Sequence, residues 1–417
     1  MSKFIIRGGQ KLEGEVRVHG MKNAATPILA ATLLTQEECI VDNVPQISDV
    51  RKMVEILQSL GAKAEWLGRH KLKICAKDVS LGKIDQAKVK SMRSSVLLLG
   101  PLLARFHEVS ISEPGGCIIG KRPLDTHFHA LRALGADINQ VDDSYELKTK
   151  ELKGSEIILP EFSVTATENA LMAAVLARGV TKIKIAAAEP HVQDLIDFLT
   201  KMGAKIKGKG THELTVRGVS KLGGAEHALI PDQIEIGTWA VAGAVTQGNL
   251  VISPVIAEHL EIFLLKFNEA GVNAQIKGDK LLVNPSSNFK AFKLQSLPYP
   301  GFPTDLEAPF GVLATQCEGT SLIHDPLYEG RMGYMTELIK MGANAVICDP
   351  HRVLITGPTP LRGREIRSYD LRAGATLIIA GLVAQGETTI NQAEVVDRGY
   401  ENIEQRLTEL GAKIRRA

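Results

Sequence analysis

The chain has 417 residues, 44% of them hydrophobic and 5% aromatic, with 49 Lys+Arg against 47 Asp+Glu. A net charge of +2 excludes bulk attraction to nucleic acid or an anionic membrane, so a bound anion has to be held by locally placed cations. The longest apolar run, 95–104, is too short to span a bilayer, and the stretch 1–7 shows no signal-peptide core. The five cysteines at 39, 75, 117, 317 and 348 form no Cys-x-x-Cys pair and no zinc set with histidine. The expectation is a cytoplasmic chain with free thiols, no disulfide scaffold and no bound metal.

In chain order, one short phrase recurs six times: Leu60-Gly61-Ala62-Lys63, Leu134-Gly135-Ala136-Asp137, Met202-Gly203-Ala204-Lys205, Ala270-Gly271-Val272-Asn273, Met341-Gly342-Ala343-Asn344 and Leu410-Gly411-Ala412-Lys413. Its glycines stand 74, 68, 68, 71 and 69 residues apart, which marks an internal repeat. Each glycine follows a helix-spaced apolar face. In the first copy the face is Val50, Met53, Val54, Leu57 and Leu60; in the third, Val192, Leu195, Ile196, Leu199 and Met202; in the fourth, Leu260, Phe263, Leu264, Phe267 and Ala270. The glycine then occupies the position after a helix where positive φ is needed.

Upstream of these helices lie short strands at 182–185, 250–252 and 321–323. Before the strands come more uniformly apolar helices at 171–177, 239–245 and 377–383, closed by Gly179, Gly248, Gly319 or Gly386. A helix apolar on most sides is buried. The unit is therefore buried helix, strand, amphipathic helix, strand. Six units in two groups of three predict an α/β fold of two similar domains, each with buried helices inside and sheets plus amphipathic helices around them. The polar stretch 221–224, between the third and fourth units, is the expected boundary.

Departures from the repeat point to function. Thirteen residues before each glycine, where the amphipathic helix is expected to start, stand Ser48, Arg122, Pro190, Glu258, Glu329 and Arg398; the fifth unit adds Arg331 two residues further on. Arginine has the wrong sign for a helix N-terminus, so these three point to an anion-binding role; Asp125 and Asp397 are the carboxylates that would pair with them in a purely structural role. The buried helices open on Lys22-Asn23, Met92-Arg93, Thr304-Asp305 and Asp370-Leu371-Arg372. Asp305 suits an N-cap, but Lys22, Arg93 and Arg372 do not.

The segment 113–123 adds a glycine-rich loop to the second unit. Gly115 to Lys121 fits Gly-x4-Gly-Lys, yet Arg122 stands where a phosphate loop needs Ser or Thr for magnesium, which argues against a nucleotide hydrolase. The loop instead presents Cys117 beside Lys121 and Arg122, cations that favour a thiolate. The other four cysteines read as small buried hydrophobes in strands or apolar helices. His127 and His129 point apart on a helix and make a poor metal pair.

Eight phrases then align in order over the whole chain. They are Gly20-Met21-Lys22-Asn23-Ala24-Ala25, Lys90-Ser91-Met92-Arg93-Ser94-Ser95, Pro114-Gly115-Gly116-Cys117 through Arg122-Pro123, Ala166-Thr167-Glu168-Asn169, Ile230-Pro231-Asp232, Phe302-Pro303-Thr304-Asp305, Asp370-Leu371-Arg372-Ala373 and Asp397-Arg398-Gly399-Tyr400. With these, the chain resembles the UDP-N-acetylglucosamine 1-carboxyvinyltransferase family of enolpyruvyl transferases. The resemblance implies an inside-out α/β barrel of two domains, each of three βαβαββ-type repeats, joined by a double crossover. Residues 22–229 would form the first domain, with the Cys117 loop; 1–21 plus 230–417 would form the second, with the active site in the cleft between.

It also implies a reaction. The sugar 3-hydroxyl adds to phosphoenolpyruvate and phosphate leaves, committing the sugar to peptidoglycan, without a metal or organic cofactor. By resemblance, Cys117 is the proton donor and the target of the epoxide fosfomycin, and Asp305 is the base. Lys22, Arg122 and Arg398 surround phosphoenolpyruvate, with Arg331, Asp370 and Arg372 completing the shell. Asn23 and Arg93 contact the nucleotide sugar and the cleft. Arg122, Pro123, Leu124, Asp125, Thr126, Ser163, Val164 and Leu327 line the uridine, diphosphate and sugar. This chain departs from the family pattern at Met21 (usually Ala), Thr165 (Gly), Leu327 (Val or Ile) and Gly330 before Arg331.

Overall fold

A computed structural model of the chain describes residues 2–115, 120 and 122–417. Cys117, Lys121 and most of the glycine-rich loop lie outside the described residues. The chain divides into two compact units: Gly20–Gly116 with Arg122–Ile230, and Met1–His19 with Pro231–Ala417. The polar stretch 221–224 is not the boundary. It lies inside the first of these units, because the following strand Glu226–Ala228 still pairs there, parallel to Glu38–Asp42.

All six repeat glycines have positive φ, from 79° at Gly271 to 104° at Gly203, as the helix-ending position requires. The exception among the closing glycines is Gly248: the left-handed residue there is Gln247, with φ 54°, and Gly248 is needed because a Cβ would strike the Leu12 backbone.

Five repeats build the same four-stranded sheet. A parallel edge strand is followed by the central strand and then two further antiparallel strands, as in Lys293–Gln295, Gly319–His324, Arg352–Gly357 and Asn344–Asp349. Strands alternate buried and exposed residues, so one sheet face covers the core and the other meets water. Within the Pro231–Ala417 unit, the helices Gln233–Val245, Glu307–Thr315 and Leu371–Val383 are almost wholly buried and pack pairwise against one another. Within the Gly20–Ile230 unit, Lys22–Ala31, Leu99–Phe106 and Val164–Ala174 have the same place, the second preceded by the 3-10 turn Arg93–Leu98.

Strand exchange links the two units. Glu156–Ile158, before the helix Val164–Ala174, pairs in parallel with Val180–Lys184, the strand after it. In contrast, Glu13–Arg17 precedes the helix Lys22–Ala31 but pairs with Asn249–Ser253, while Glu226–Ala228 precedes the helix Gln233–Val245 but pairs with Glu38–Asp42. The chain thus crosses over at His19/Gly20 and again at Ile230/Pro231.

The amphipathic helices follow the expected faces. Val50, Met53, Leu57 and Leu60 are buried, as are Val192, Leu195 and Leu199, whereas Leu264 stays partly exposed. Their starts depart from expectation. Only Ser48–Ser59 and Pro190–Lys201 run twelve residues. The others begin later, at Asp125, Glu261, Gly333 and Ile403. Arg122, Arg331 and Arg398 therefore precede their helices, Arg122 in an irregular stretch, Arg331 in a turn and Arg398 at the end of a 3-10 turn.

Cys39 and Cys317 are buried as expected, but Cys348 is exposed and Cys75 half-buried, both on strands whose outer side meets water. Among the described residues no helix is long and apolar enough to cross a membrane.

Candidate active site

In the Pro231–Ala417 unit, the segment Phe302-Pro303 leads into the 3-10 turn Thr304–Leu306 and the helix Glu307–Thr315. Phe302 is buried, with its ring 5.0 Å from that of Phe310, and this anchors the turn. Asp305 does not cap the helix. Its Oδ1 accepts from Arg331 Nη2 at 2.9 Å and its Oδ2 from Arg372 Nε at 3.2 Å. Both guanidiniums are buried, 4% and 3% exposed, while the Asp305 side chain between them stays 23% exposed. Gly330 leaves Arg331 well held: its Nε also donates to Thr304 Oγ1 at 3.1 Å.

Arg372 opens the buried helix Leu371–Val383, and Asp370 caps that helix, accepting from the Arg372 and Ala373 amides at 2.8 and 3.0 Å. The guanidinium lies over the Tyr400 ring at 5.3 Å, while Tyr400 Oη shares a 2.9 Å hydrogen bond with Thr238 Oγ1. Among the described residues Arg372 Nη1 has no hydrogen-bond partner. The repeat register equates Asp305 with Arg372, and the fold brings these two equivalent residues into direct contact.

Several residues of this cluster escaped the sequence reading. Thr304 Oγ1 donates to the fully buried Asp325, whose Oδ1 also accepts from the Leu327 amide at 2.8 Å and the Tyr328 amide at 3.3 Å. That turn presents the half-exposed Leu327. Behind it, Glu307 is fully buried, accepts from Tyr334 Oη at 2.6 Å, and has its other oxygen without a partner among the described residues. Burial pushes the Glu307 carboxyl up to about 8.

In the Gly20–Ile230 unit, Lys22 Nζ bonds Asp49 Oδ2 at 2.8 Å. Asp49 is 1% exposed in the first turn of Ser48–Ser59, where an acid reads as an ordinary helix-start residue, so the sequence carried no sign of this pairing. Asn23 follows Lys22 in the first turn of its helix and is partly exposed. Arg93 donates to the backbone carbonyl of Arg122, bringing those two together. Pro123 and Asp125 are exposed, Leu124 is buried, and Thr126 donates to Glu161 at 3.0 Å.

Ser163 precedes the helix Val164–Ala174, and among the described residues its side chain makes no capping hydrogen bond. Asn169, on that helix, donates to the Val96 carbonyl at 2.9 Å and accepts from the Gly100 amide at 2.8 Å. Those two backbone partners fix its amide orientation, so its Nδ2 also donates to His127 Nδ1 at 2.9 Å. The remaining ring nitrogen, Nε2, then carries the proton toward Thr165 Oγ1 at 3.1 Å. Burial, aided by Arg93, lowers His127 to about 3, which keeps the ring neutral. His127 is thus a buried support for Thr165, the residue that departs from the family pattern. Arg398 closes the 3-10 turn Ala393–Arg398, and the neighbouring Asp397 carboxylate accepts from Arg416 on both oxygens.

Residues 6–407 match the family profile described as EPSP synthase (3-phosphoshikimate 1-carboxyvinyltransferase). The chain is 46% identical to a UDP-N-acetylglucosamine 1-carboxyvinyltransferase of Koribacter versatilis, over 100% of this chain and 96% of the relative. It is 44% identical to the enzyme of that name from Bradyrhizobium diazoefficiens, over 99% and 98% of the two chains. Among solved structures, the enolpyruvyl transferase NikO from Streptomyces tendae superposes with a TM-score of 0.92 at 24% identity, covering 100% and 99% of the two chains. EPSP synthase from Acinetobacter baumannii gives 0.75 at 20% identity, with both chains fully covered. These two structures share the fold. With the profile matched nearly end to end and relatives above 40% identity over their full length, the chain belongs to the enolpyruvyl transferase family, among the UDP-N-acetylglucosamine 1-carboxyvinyltransferases.

Proposed function

We propose that the chain transfers the enolpyruvyl group of phosphoenolpyruvate to the 3-hydroxyl of UDP-N-acetylglucosamine with release of phosphate, the committing step of peptidoglycan synthesis, in the cytoplasm. The observation that carries this reading is the full-length identity of 46% to a relative of that name. The proton of the sugar hydroxyl passes to Asp305, the oxygen bonds C2 of phosphoenolpyruvate, and C3 takes a proton from the Cys117 thiol. The C2–O bond to phosphate then breaks as C3 gives up a proton, restoring the double bond.

The described residues support these roles. Asp305 is held by Arg331 on one oxygen and by Arg372 on the other, which orients its carboxylate for a role as base. The open Nη1 donor of Arg372 suits an anionic oxygen of phosphoenolpyruvate, together with Lys22, Arg122, Arg331 and Arg398. Asp370 acts by capping the helix that carries Arg372. The helix start at Ser163 and Val164, which carries no side-chain cap among the described residues, suits a diphosphate, with Asn23, Arg93 and the strip Arg122 to Thr126 along the nucleotide sugar and Leu327 against it. Cys39 and Cys317 are poor alternatives to Cys117, since burial pushes their thiols up to about 11 and 12.

The family profile also carries the name of the 3-phosphoshikimate enzyme, which makes that acceptor the second reading. The deciding assay follows phosphate release from phosphoenolpyruvate by the purified chain. Release is expected with UDP-N-acetylglucosamine and not with 3-phosphoshikimate. Release with only the latter, or with neither at saturation, overturns the proposal.

A further inference from the structure

The turn that carries Arg398 is gripped by residues distant in sequence. Arg416 donates from Nη1 to Asp397 Oδ2 at 2.8 Å and from Nη2 to Asp397 Oδ1 at 2.6 Å, a two-pronged bond to the residue next to Arg398. The same guanidinium donates from Nε to Glu404 Oε1 at 2.6 Å and from Nη2 to Glu404 Oε2 at 3.2 Å, and it lies over the Phe4 ring at 4.7 Å. At the start of the turn, the Ser2 hydroxyl donates to Glu394 Oε2 at 2.8 Å, while the Ser2 carbonyl accepts from the Ala393 amide at 3.0 Å.

The inner side of the turn is equally constrained. Val396 is fully buried against the helix Leu371–Val383: a Cβ on Gly374 would collide with its side chain. Gly399 packs against the Leu371 side chain, whose terminal methyl would have to move to admit a Cβ there. Tyr400, one residue on, stacks under Arg372. The turn is flanked by left-handed residues, Gln392 at φ 62° before it and Asn402 at φ 45° after it, so its own backbone does not continue into regular structure at either end.

We propose that Arg416 is a positioning residue for Arg398: by bridging Asp397 and Glu404 it presses the turn Ala393–Arg398 onto the helix Leu371–Val383 and sets Arg398 in register with Arg372. This rests on the reading above that both arginines serve phosphoenolpyruvate. Arginine is required because its planar fork meets two carboxylates at once, which a lysine ammonium cannot reproduce. A purely structural clamp would instead change folding stability and leave the two substrates affected alike.

The test measures KM for each substrate and kcat in the full chain, using wild type, Arg416→Lys, Arg416→Met, Arg398→Ala and the Arg398→Ala/Arg416→Met double variant. Arg416→Met is expected to raise KM for phosphoenolpyruvate about five- to tenfold, with KM for UDP-N-acetylglucosamine within about twofold of wild type. Arg416→Lys is expected to fall between. In the Arg398→Ala background, Arg416→Met should add less than about twofold, because the effect passes through Arg398. Equal changes in both KM values, unchanged kinetics, or full additivity in the double variant overturns the proposal. Should Arg416→Met fail to fold, the same cycle is run with Arg416→Lys and read by the same criteria. An inactive wild type would overturn the proposed activity itself, whereas an active wild type with unaltered Arg416 variants overturns the clamp alone.

Discussion

Glu307 makes a definite statement about stability. It is fully buried beside Asp325, Arg331 and Asp370, with Tyr334 as its one hydrogen-bond donor among the described residues, and burial lifts its carboxyl to about 8. In the unfolded chain the same group titrates near its ordinary value of about 4.3. Below that pH both states hold the proton. As the pH rises, the unfolded state loses the proton first and is stabilised relative to the native state, until the folded group also ionises near 8. This residue therefore costs the protein stability progressively from about pH 4.5 to 8, by a few kcal/mol in order of magnitude. Gln at this position cannot ionise and can still accept from Tyr334. Urea unfolding at pH 5, 7 and 9 is expected to show the Glu307→Gln variant losing roughly 2 kcal/mol or more less than wild type across that range. Parallel losses in the two proteins would show that Glu307 ionises normally. Glu307 and Asp49 were invisible in the sequence for one reason: an acid in the first turn of a helix is the residue expected there. Lys22, Arg93 and Arg372 were legible because a cation at the start of a buried helix needs an explanation. Arg331 and Arg398 were noticed on a mistaken premise, since neither sits in its helix.

At the level of elements, the repeat was legible in outline because its glycines and apolar faces recur, but one of its six sheets breaks the pattern. Glu108–Ser112, Ser144–Lys148 and Asp137–Val141 form a three-stranded sheet with no parallel edge strand among the described residues. The place of that strand before the buried helix is taken by the short helix Gln86–Lys90, started by Asp85, whose side chain accepts from the Lys88 amide. The Gln86 side-chain amide then imitates a strand partner. It donates to the Ser110 carbonyl at 3.1 Å and accepts from the Ser112 amide at 2.7 Å, satisfying both groups on the open edge. A sequence pattern read for periodicity cannot register one side chain standing in for a strand. Gln86→Ala is expected to destabilise the protein by about 1–2 kcal/mol, with Gln86→Glu nearer wild type because it keeps the bond to Ser112. Equilibrium denaturation compares the three, and an unchanged Gln86→Ala midpoint would mean that water serves that edge equally well.

For the whole molecule, strand exchange leaves every strand of one unit between Gly20 and Ile230, while the other unit draws strands from both ends of the chain. Gly20–Ile230 contains every strand of its own three sheets, including Glu226–Ala228 at its end. The stretch Pro231–Ala417 lacks two of its strands. Lys3–Arg7 is no edge strand: it lies between Glu387–Asn391 and Lys413–Arg416, with Ile6 opposite both Thr388 and Ile414. Phe4, Ile6, Leu12 and Val16, all buried, come from the same first nineteen residues. Removing them would leave three strands, Glu387–Asn391, Lys413–Arg416 and Asn249–Ser253, each with an unpaired edge, and open the core beneath the helix Leu371–Val383, which contacts Lys3–Arg7 directly. A fragment of residues 20–230 is therefore expected to fold alone, with a cooperative urea transition and dispersed amide resonances. A fragment of residues 231–417 should remain loosely structured until residues 1–19 are added, and then gain near-ultraviolet circular dichroism. If 231–417 alone shows a cooperative transition equal to that of the reassembled pair, the inserted strand is dispensable and the sheet tolerates its loss. If 20–230 fails to fold while the intact chain is stable, the crossover strands do not suffice to close its core, and its stability must come from the remainder of the chain.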